Sequence, residues 1–183
     1  PTSVFHADTF TGNGSAGRKV SPGFICDVNL TRGRGSGKNP CLAARTQGGM
    51  FETNLSSGTT YYNLTDWIDW HHQDGFEYPT AYTYSNATSQ PYVTYTWKRA
   101  PSFCDIAIYN GTGSAKTVPH RLGVAPEMIW VKCITRNENW CVYHKTLGAT
   151  KFITLNSNTA SATSSTRFNN TDPTDSVFSV GTD

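Results

Sequence analysis

The densest group of side chains that could do chemistry lies within residues 66–74, which read DWIDWHHQD. Carboxylates and imidazoles of this kind bind metal ions and carry out acid–base steps. In a β-strand, successive side chains point to opposite faces, so Asp69 and His71 would share one face. His72 and Asp74 would share the other. Neither face then holds three certain ligands, and we interpret the stretch as an aromatic strand with solvated polar neighbours.

Cysteines are a second group with chemical potential. No CxxC pair occurs, which argues against a zinc site. If Thr135–Asn139 forms a five-residue hairpin loop, Cys133 lies directly opposite Cys141, and opposed cysteines can approach closely enough to bond. We therefore predict Cys133 and Cys141 as a candidate disulfide pair in an oxidising compartment.

Seven asparagines begin an N-x-S/T sequon, against about three expected by chance. A eukaryotic secretory origin would make several of them glycosylated. A threonine-rich β surface would contain the same motifs without any glycan, and we favour that interpretation. The candidates are Asn13, Asn29, Asn54, Asn63, Asn86, Asn110 and Asn169.

Aromatic side chains could stack on sugar rings, as they do in lectin-like modules. Alternation along a strand would place about half of the aromatic residues in the core instead. Trp67 and Trp70 are the candidates for sugar stacking.

No constellation for catalysis is convincing. No serine lies in a GxSxG elbow, and GRGSGK at residues 33–38 does not fit the GxxxxGK[ST] phosphate loop. A polysaccharide depolymerase would need a pair of carboxylates in a cleft, and the sequence offers no clear pair. We therefore expect no enzyme activity, no cofactor and no metal.

Composition excludes two further classes. The net charge is +2 without any basic run, so the electrostatic footprint of a nucleic-acid-binding protein is absent. No stretch approaches the ~20 consecutive apolar residues that span a bilayer. We expect neither a nucleic-acid partner nor membrane insertion.

Short runs of β-branched and aromatic residues recur along the chain and are separated by turn residues. Regular spacing of such runs is typical of sandwiches and barrels. The sequence therefore predicts an all-β fold. Representative runs are YVTYTW at 92–97, MIWVKCI at 128–134, WCVYH at 140–144 and FITL at 152–155.

The sequence also repeats itself at an offset close to 100. FTGNGSA at 10–16 matches YNGTGSA at 109–115, and NPCLAAR at 39–45 matches NWCVYHK at 139–145. Further matches keep this register over the rest of the copy, which chance would not do. We predict two tandem β-sandwich domains, Ig-like or jelly-roll-like, at residues 1–100 and 101–183.

The second copy is expected to lack its last strand. Copy one ends in YVTYTWK at 92–98, whereas the similarity in copy two stops after Val177–Gly181. A missing strand leaves unpaired N–H and C=O groups, each hydrogen bond being worth about 1 kcal/mol net, and it leaves apolar side chains uncovered. A strand from another chain could fill that edge, or a further segment of this chain could complete the domain.

Several segments together resemble a repeat found in tail-fibre and other structural proteins of tailed phages. They are VTYTWKR at 93–99, PSFCDI at 101–106, LGVAPEMIWVK at 122–132, WCVYHK at 140–145 and FNNTDPTDSVFSVG at 168–181. The resemblance implies a virion structural protein. In that family the repeat usually ends with a further aromatic strand after the segment that matches Val177–Gly181.

These observations predict a structural subunit of an extracellular filament, tail fibre or virion appendage, located outside the cell or on the virion surface. Identical subunits would join head to tail by sharing β-strands. The alternative is a module that binds a host glycan or receptor during attachment. The predicted assembly joint comprises Pro1, Val4 and Phe5 of one subunit and the open side of copy two in the next, represented by Phe103, Val177 and Phe178.

Overall fold

The computed structural model describes residues 3–35, 37–56, 67–80 and 82–183. Its strands all pair antiparallel, and the predicted all-β class is confirmed. The chain divides into two compact units, Pro1–Arg99 and Ala100–Asp183, which we call unit 1 and unit 2.

Unit 1 contains a five-stranded sheet and a two-stranded sheet. The larger sheet has the order β1-β7-β3-β4-β5, and the smaller pairs β2 with β6. The strands are β1 (Phe5–Thr11), β2 (Arg18–Val20), β3 (Val28–Gly33), β4 (Cys41–Ala44), β5 (Gln47–Glu52), β6 (Phe76–Tyr78) and β7 (Pro91–Trp97).

Strand β7 holds the larger sheet of unit 1 together because it pairs on both of its edges. Its seven residues face the whole of β1, from Phe5↔Trp97 to Thr11↔Pro91. Its other edge pairs with β3. Side chains alternate along β7, so Tyr92, Thr94 and Thr96 are buried while the residues between them are half-buried.

The inner side of β3 and β7 carries a buried polar cluster, which consists of Asn29, Thr31, Tyr78 and Thr94. Asn29 Nδ2 donates to Thr94 Oγ1 at 2.6 Å, and the Thr31 hydroxyl lies 2.9 Å from the same oxygen. The Tyr78 hydroxyl contacts Thr31 and Asn29 Oδ1. Burial raises the pKa of Tyr78 above its usual value, so the phenol stays protonated. The polar atoms of this cluster thus satisfy one another inside the core.

The smaller sheet of unit 1 supports the apolar core. Val20 of β2 faces Phe76 of β6, and both are buried. They pack in one cluster with three residues of the segment that precedes β6: Trp67, Ile68 and Trp70.

Unit 2 contains a four-stranded sheet of order β12-β11-β10-β9 and a two-stranded sheet that pairs β8 with β13. Its apolar residues form two clusters, one around Tyr143 and Phe168 and one around Val118 and Phe178. The strands are β8 (Lys116–Pro119), β9 (Met128–Val131), β10 (Cys141–His144), β11 (Lys151–Thr154), β12 (Ala162–Thr163) and β13 (Val177–Val180).

The two units repeat the same pairings. The order β3-β4-β5 recurs as β9-β10-β11, and the β2–β6 pair recurs as β8–β13. Individual hydrogen bonds recur as well: Arg45 N donates to Asp27 O at 2.8 Å, and Lys145 N donates to Glu127 O at 2.8 Å. Positions 100 residues apart in the sequence therefore occupy equivalent places in their sheets.

We expect Asn29→Ala to lower the free energy of unfolding by about 2–4 kcal/mol, because the substitution removes the buried amide that bonds to Thr94, Thr31 and Tyr78 and leaves a cavity in its place. Asn158→Ala is the matched control, since Asn158 is exposed, and it should cost less than about 0.5 kcal/mol. Urea denaturation followed by tryptophan fluorescence measures both. Equal losses in the two variants would contradict this account of the buried cluster.

Candidate functional site

The candidate site is the open edge of β9 in unit 2. Strand β9 lies at the end of its sheet and pairs only with β10 in the part of the chain that the structure describes. The equivalent strand of unit 1, β3, pairs with β4 on one side and β7 on the other. The open edge of β9 therefore corresponds to the place that β7 fills in unit 1.

The register of β9 shows which backbone groups face the open edge. Glu127 accepts a hydrogen bond from Lys145 of the β10 end, and hydrogen-bonded pairs alternate along an antiparallel ladder. The N–H and C=O groups of Ile129 and Val131 therefore point to β10. Those of Met128 and Trp130 point to the open edge, where they can bond an added strand.

Residues 105–110 correspond to β1 by an offset of 99, but they form no strand. Within the described residues, no backbone hydrogen bond joins Ile106–Tyr109 to another segment. In unit 1, β1 has one strand partner, β7. The Tyr109 ring nevertheless lies 6.3 Å from Phe178 of β13. This segment is thus anchored at its end and can offer a second edge to a strand in the β7 position.

The open edge is apolar. Met128 is 50% exposed and Trp130 is 39% exposed, and Trp130 Nε1 lies 2.9 Å from Met128 Sδ on the same face of β9. Of the nine exposed large apolar side chains in the described residues, six belong to unit 2. Adjacent exposed apolar side chains, such as Met128 and Trp130, are typical of an interaction site. The six are Phe103, Ile108, Val124, Met128, Trp130 and Leu155.

The residues predicted for the assembly joint in unit 2 lie outside β9. Phe103 is exposed and lies two residues before the segment 105–110. Val177 and Phe178 belong to β13, which pairs with β8, and Phe178 is buried. Their place in a joint stays a prediction, and the comparison with unit 1 points to β9 instead. The sequence prediction did not identify β9, although the repeat aligns β9 with β3 and could have indicated it.

The other half of the predicted joint lies in unit 1. Val4 accepts a hydrogen bond from Lys98, and Phe5 begins β1 and packs against Tyr95 and Trp97. These residues are part of the sheet of unit 1 and are not a free donor strand. Pro1 lies outside the described residues.

The predicted pairing of Cys133 with Cys141 is wrong. Cys141 faces Val131, because β9 ends there and the connection to β10 is longer than the five residues expected. All five cysteines are free thiols. Partial burial opposes ionisation of Cys133, but hydrogen bonds from Thr135 and Arg136 outweigh it and lower the pKa of this thiol. Burial instead raises the pKa of Cys141, and that of Cys26 to about 12.

The candidate glycosylation sites divide by burial. Asn29 and Asn86 are fully buried, and Asn86 Nδ2 donates to Ser15 O at 2.7 Å. An amide that lies in the core cannot carry a glycan, so these two predictions are wrong for the folded protein. Asn13, Asn54, Asn110 and Asn169 are exposed, and Asn63 lies outside the described residues.

The sugar-stacking prediction is wrong because both tryptophans are in the core of unit 1. Trp67 is 1% exposed and Trp70 is 7% exposed. Trp67 packs against Tyr78 and Tyr82, and Trp70 packs against Phe76. Neither ring face is available to a sugar.

The described part of the DWIDWHHQD stretch, residues 67–74, does not form a regular strand. Its one backbone bridge joins Asp69 to Glu77. Asp69 accepts from the backbone N–H of His71 at 2.8 Å and contacts its ring, and these contacts lower the pKa of Asp69. Asp66 lies outside the described residues. Across the described ranges, no three His, Cys, Asp or Glu side chains are placed to hold a metal, and no helix is long and apolar enough to cross a membrane.

A family model described as a domain of unknown function, DUF7483, matches residues 1–183. No curated protein matches, and no solved structure matches.

We expect iodoacetamide to alkylate Cys133 at least about tenfold faster at pH 7.5 than Cys26, Cys41 or Cys141 in the native protein. A lowered pKa increases the thiolate fraction at this pH, whereas burial protects the other three. Peptide mass spectrometry measures the rates, and Cys133→Ser should remove the fast phase. In denatured, non-reduced protein all five cysteines should react; a Cys133–Cys141 disulfide would leave two of them unmodified.

Proposed function

We propose that this chain, which belongs to the DUF7483 family, is a structural subunit that assembles when a strand from another copy is added to the open edge of β9. In this proposal each unit is a β-sandwich repeat, and the added strand completes the second one. The observation that carries the proposal is the contrast between β3, which is paired on both sides, and β9, which among the described residues is paired on one.

The energetics favour a strand over a flat docking surface. Met128 and Trp130 can each exchange two backbone hydrogen bonds with an added strand, at about 1 kcal/mol net per bond. Covering their exposed side chains adds about 1.5–3 kcal/mol for each one fully buried. Together these gains are of the same order as the ~4–15 kcal/mol that association costs. Stable assembly therefore needs the backbone pairing and the apolar burial at once.

Segment 105–110 supports the same geometry. In unit 1, β7 pairs with β1 as well as with β3, so a strand in that position gains hydrogen bonds along both edges. Ile106–Tyr109 supplies the second row of backbone groups in unit 2. A strand inserted between two partners is held more strongly than a strand added to a single sheet edge.

The donor differs from the one that the sequence indicated. Removing Phe5–Phe10 from unit 1 would break the pairing of β1 with β7, at a cost similar to the gain in unit 2. The donor is therefore a segment of another copy that lies outside the β1–β7 ladder.

An added strand joins two different surfaces, and such a heterologous contact repeats into an open polymer unless rotation closes it into a ring. A polymer of this kind fits an extracellular filament, a tail fibre or a virion appendage. The resemblance of the second repeat to tail-fibre proteins supports that setting. The glycan-binding alternative has less support, because its two candidate residues, Trp67 and Trp70, are buried.

We expect Trp130→Lys to weaken self-association of the chain by about tenfold or more, because a lysine on a sheet edge opposes strand addition. Ile25→Lys is the matched control: Ile25 lies in unit 1 and, like Trp130, is 39% exposed. Sedimentation velocity over a concentration series measures the association. A monomeric wild-type chain, or equal weakening by both substitutions, would contradict the proposal.

A crosslinking experiment identifies the source of the strand. A photo-reactive amino acid replaces Met128 in an equal mixture of ¹⁴N- and ¹⁵N-labelled chains, and mass spectrometry reads the isotopes on both sides of each crosslink. Mixed-isotope crosslinks are expected. Crosslinks that always join peptides of one isotope would mean that the strand comes from the same chain, and would overturn intermolecular assembly.

A further inference from the structure

The side chains that face the core where β7 lies beside β3 differ in chemistry from those at the equivalent place beside β9. In unit 1, Thr96 lies opposite Asn29 and Thr94 lies opposite Thr31. All four side chains are fully buried, and Thr94 bonds to both Asn29 and Thr31. Thr94 is therefore matched by polar partners on β3, whereas the Thr96 hydroxyl donates to His6 O of β1 at 3.3 Å.

Unit 2 has no such partners at the equivalent places. Asn29 faces Ala43 of β4, and Ile129 faces Tyr143 of β10 in the same way. Thr31 corresponds likewise to Val131. Ile129 and Val131 pack against the apolar cluster around Tyr143 and Phe168, and Ile129 also contacts the cluster around Val118 and Phe178.

The phenol of the unit 1 cluster is absent from the equivalent place as well. Tyr78 faces Arg18 across the β2–β6 pair, and Val180 faces Lys116 across the β8–β13 pair. Asn29, Thr31 and Tyr78 are thus replaced by an isoleucine and two valines. A hydroxyl buried against these three side chains would lose its bonds to water and gain none.

We propose that the strand accepted at the open edge of β9 carries an aliphatic residue at the position where β7 has Thr94. The strand runs antiparallel to β9, with this residue opposite Val131. The inference rests on the proposed function, since it defines the chemistry of the strand that the same edge accepts.

The outer side of the accepted strand faces apolar side chains, as the outer side of β7 does. In unit 1, Tyr95 and Trp97 lie opposite Leu30 and Val28. In unit 2 the opposing side chains would be Trp130 and Met128, which are large, apolar and exposed. The accepted strand therefore differs from β7 on its inner side, which excludes β7 of another copy as the donor.

Three peptides test this inference on the whole chain of 183 residues. The first has the sequence of residues 90–98, QPYVTYTWK, and the second carries Thr94→Val within it. Valine has nearly the shape of threonine, so the second peptide differs from the first in having a methyl group in place of a hydroxyl group. The third is a scrambled version of the second. Fluorescence anisotropy of labelled peptides measures binding at protein concentrations where the chain is monomeric.

The valine peptide should bind at least about tenfold more tightly than the threonine peptide, because a buried hydroxyl without a partner lowers the binding affinity by roughly a factor of ten. The scrambled peptide should bind more weakly than either. Equal binding of the first two would overturn the inference and leave strand addition intact. If neither exceeds the scrambled peptide, strand addition itself fails, and with it the proposed function.

A substitution in the protein provides the reciprocal test. Ile129→Asn combined with Val131→Thr restores the unit 1 residue types in β9, and it should reduce the preference for the valine peptide by about tenfold. Circular dichroism checks the fold, and Val131→Thr alone serves if the double variant does not fold. An unchanged preference in the folded variant would show that the inner side chains of β9 do not determine which strand binds, and it would overturn the inference.

Discussion

The structure of unit 1 depends on the requirement that backbone groups of a buried strand find partners on both edges. Strand β7 meets this requirement, since it pairs with β1 on one side and with β3 on the other. It brings the first strand of the unit against the last, from Phe5 to Trp97. The same pairing carries Thr94 to Asn29 and closes the buried polar cluster. Sheet order and core chemistry in unit 1 are therefore consequences of one strand.

Unit 2 is built on the same plan without a described strand in that place. Its equivalent of β1 is not a strand, which follows because β7 is the strand partner of β1. Its inner residues are aliphatic where unit 1 has hydrogen-bonding side chains, as at Ile129 and Val131. Duplication has thus kept the backbone pairings and changed the side chains, so that the two units present different chemistry at one equivalent edge.

Several features of the fold could be predicted because they depend on residues that are close together in the sequence. Alternation in YVTYTW predicted β7, and the offset of 100 aligned Cys41 with Cys141, which occupy equivalent strands. Predictions that needed a distant contact were wrong. A sequon identifies Asn29 as an acceptor, but its burial depends on Thr94, 65 residues away. The placement of Cys133 opposite Cys141 was wrong because loop length was inferred from residue types, whereas β9 ends at Val131.

The division between these two kinds of result has a physical basis. Strand identity and turn position follow from side-chain alternation and backbone preferences, which act over a few residues and can be read along the chain. Burial and edge pairing depend on which distant segments meet. The sequence could therefore predict that the second repeat lacks a strand, but it could not say which strand edge would accept one. Only the tertiary structure shows that, among the described residues, β9 pairs with β10 alone and that the backbone groups of Met128 and Trp130 face away from β10.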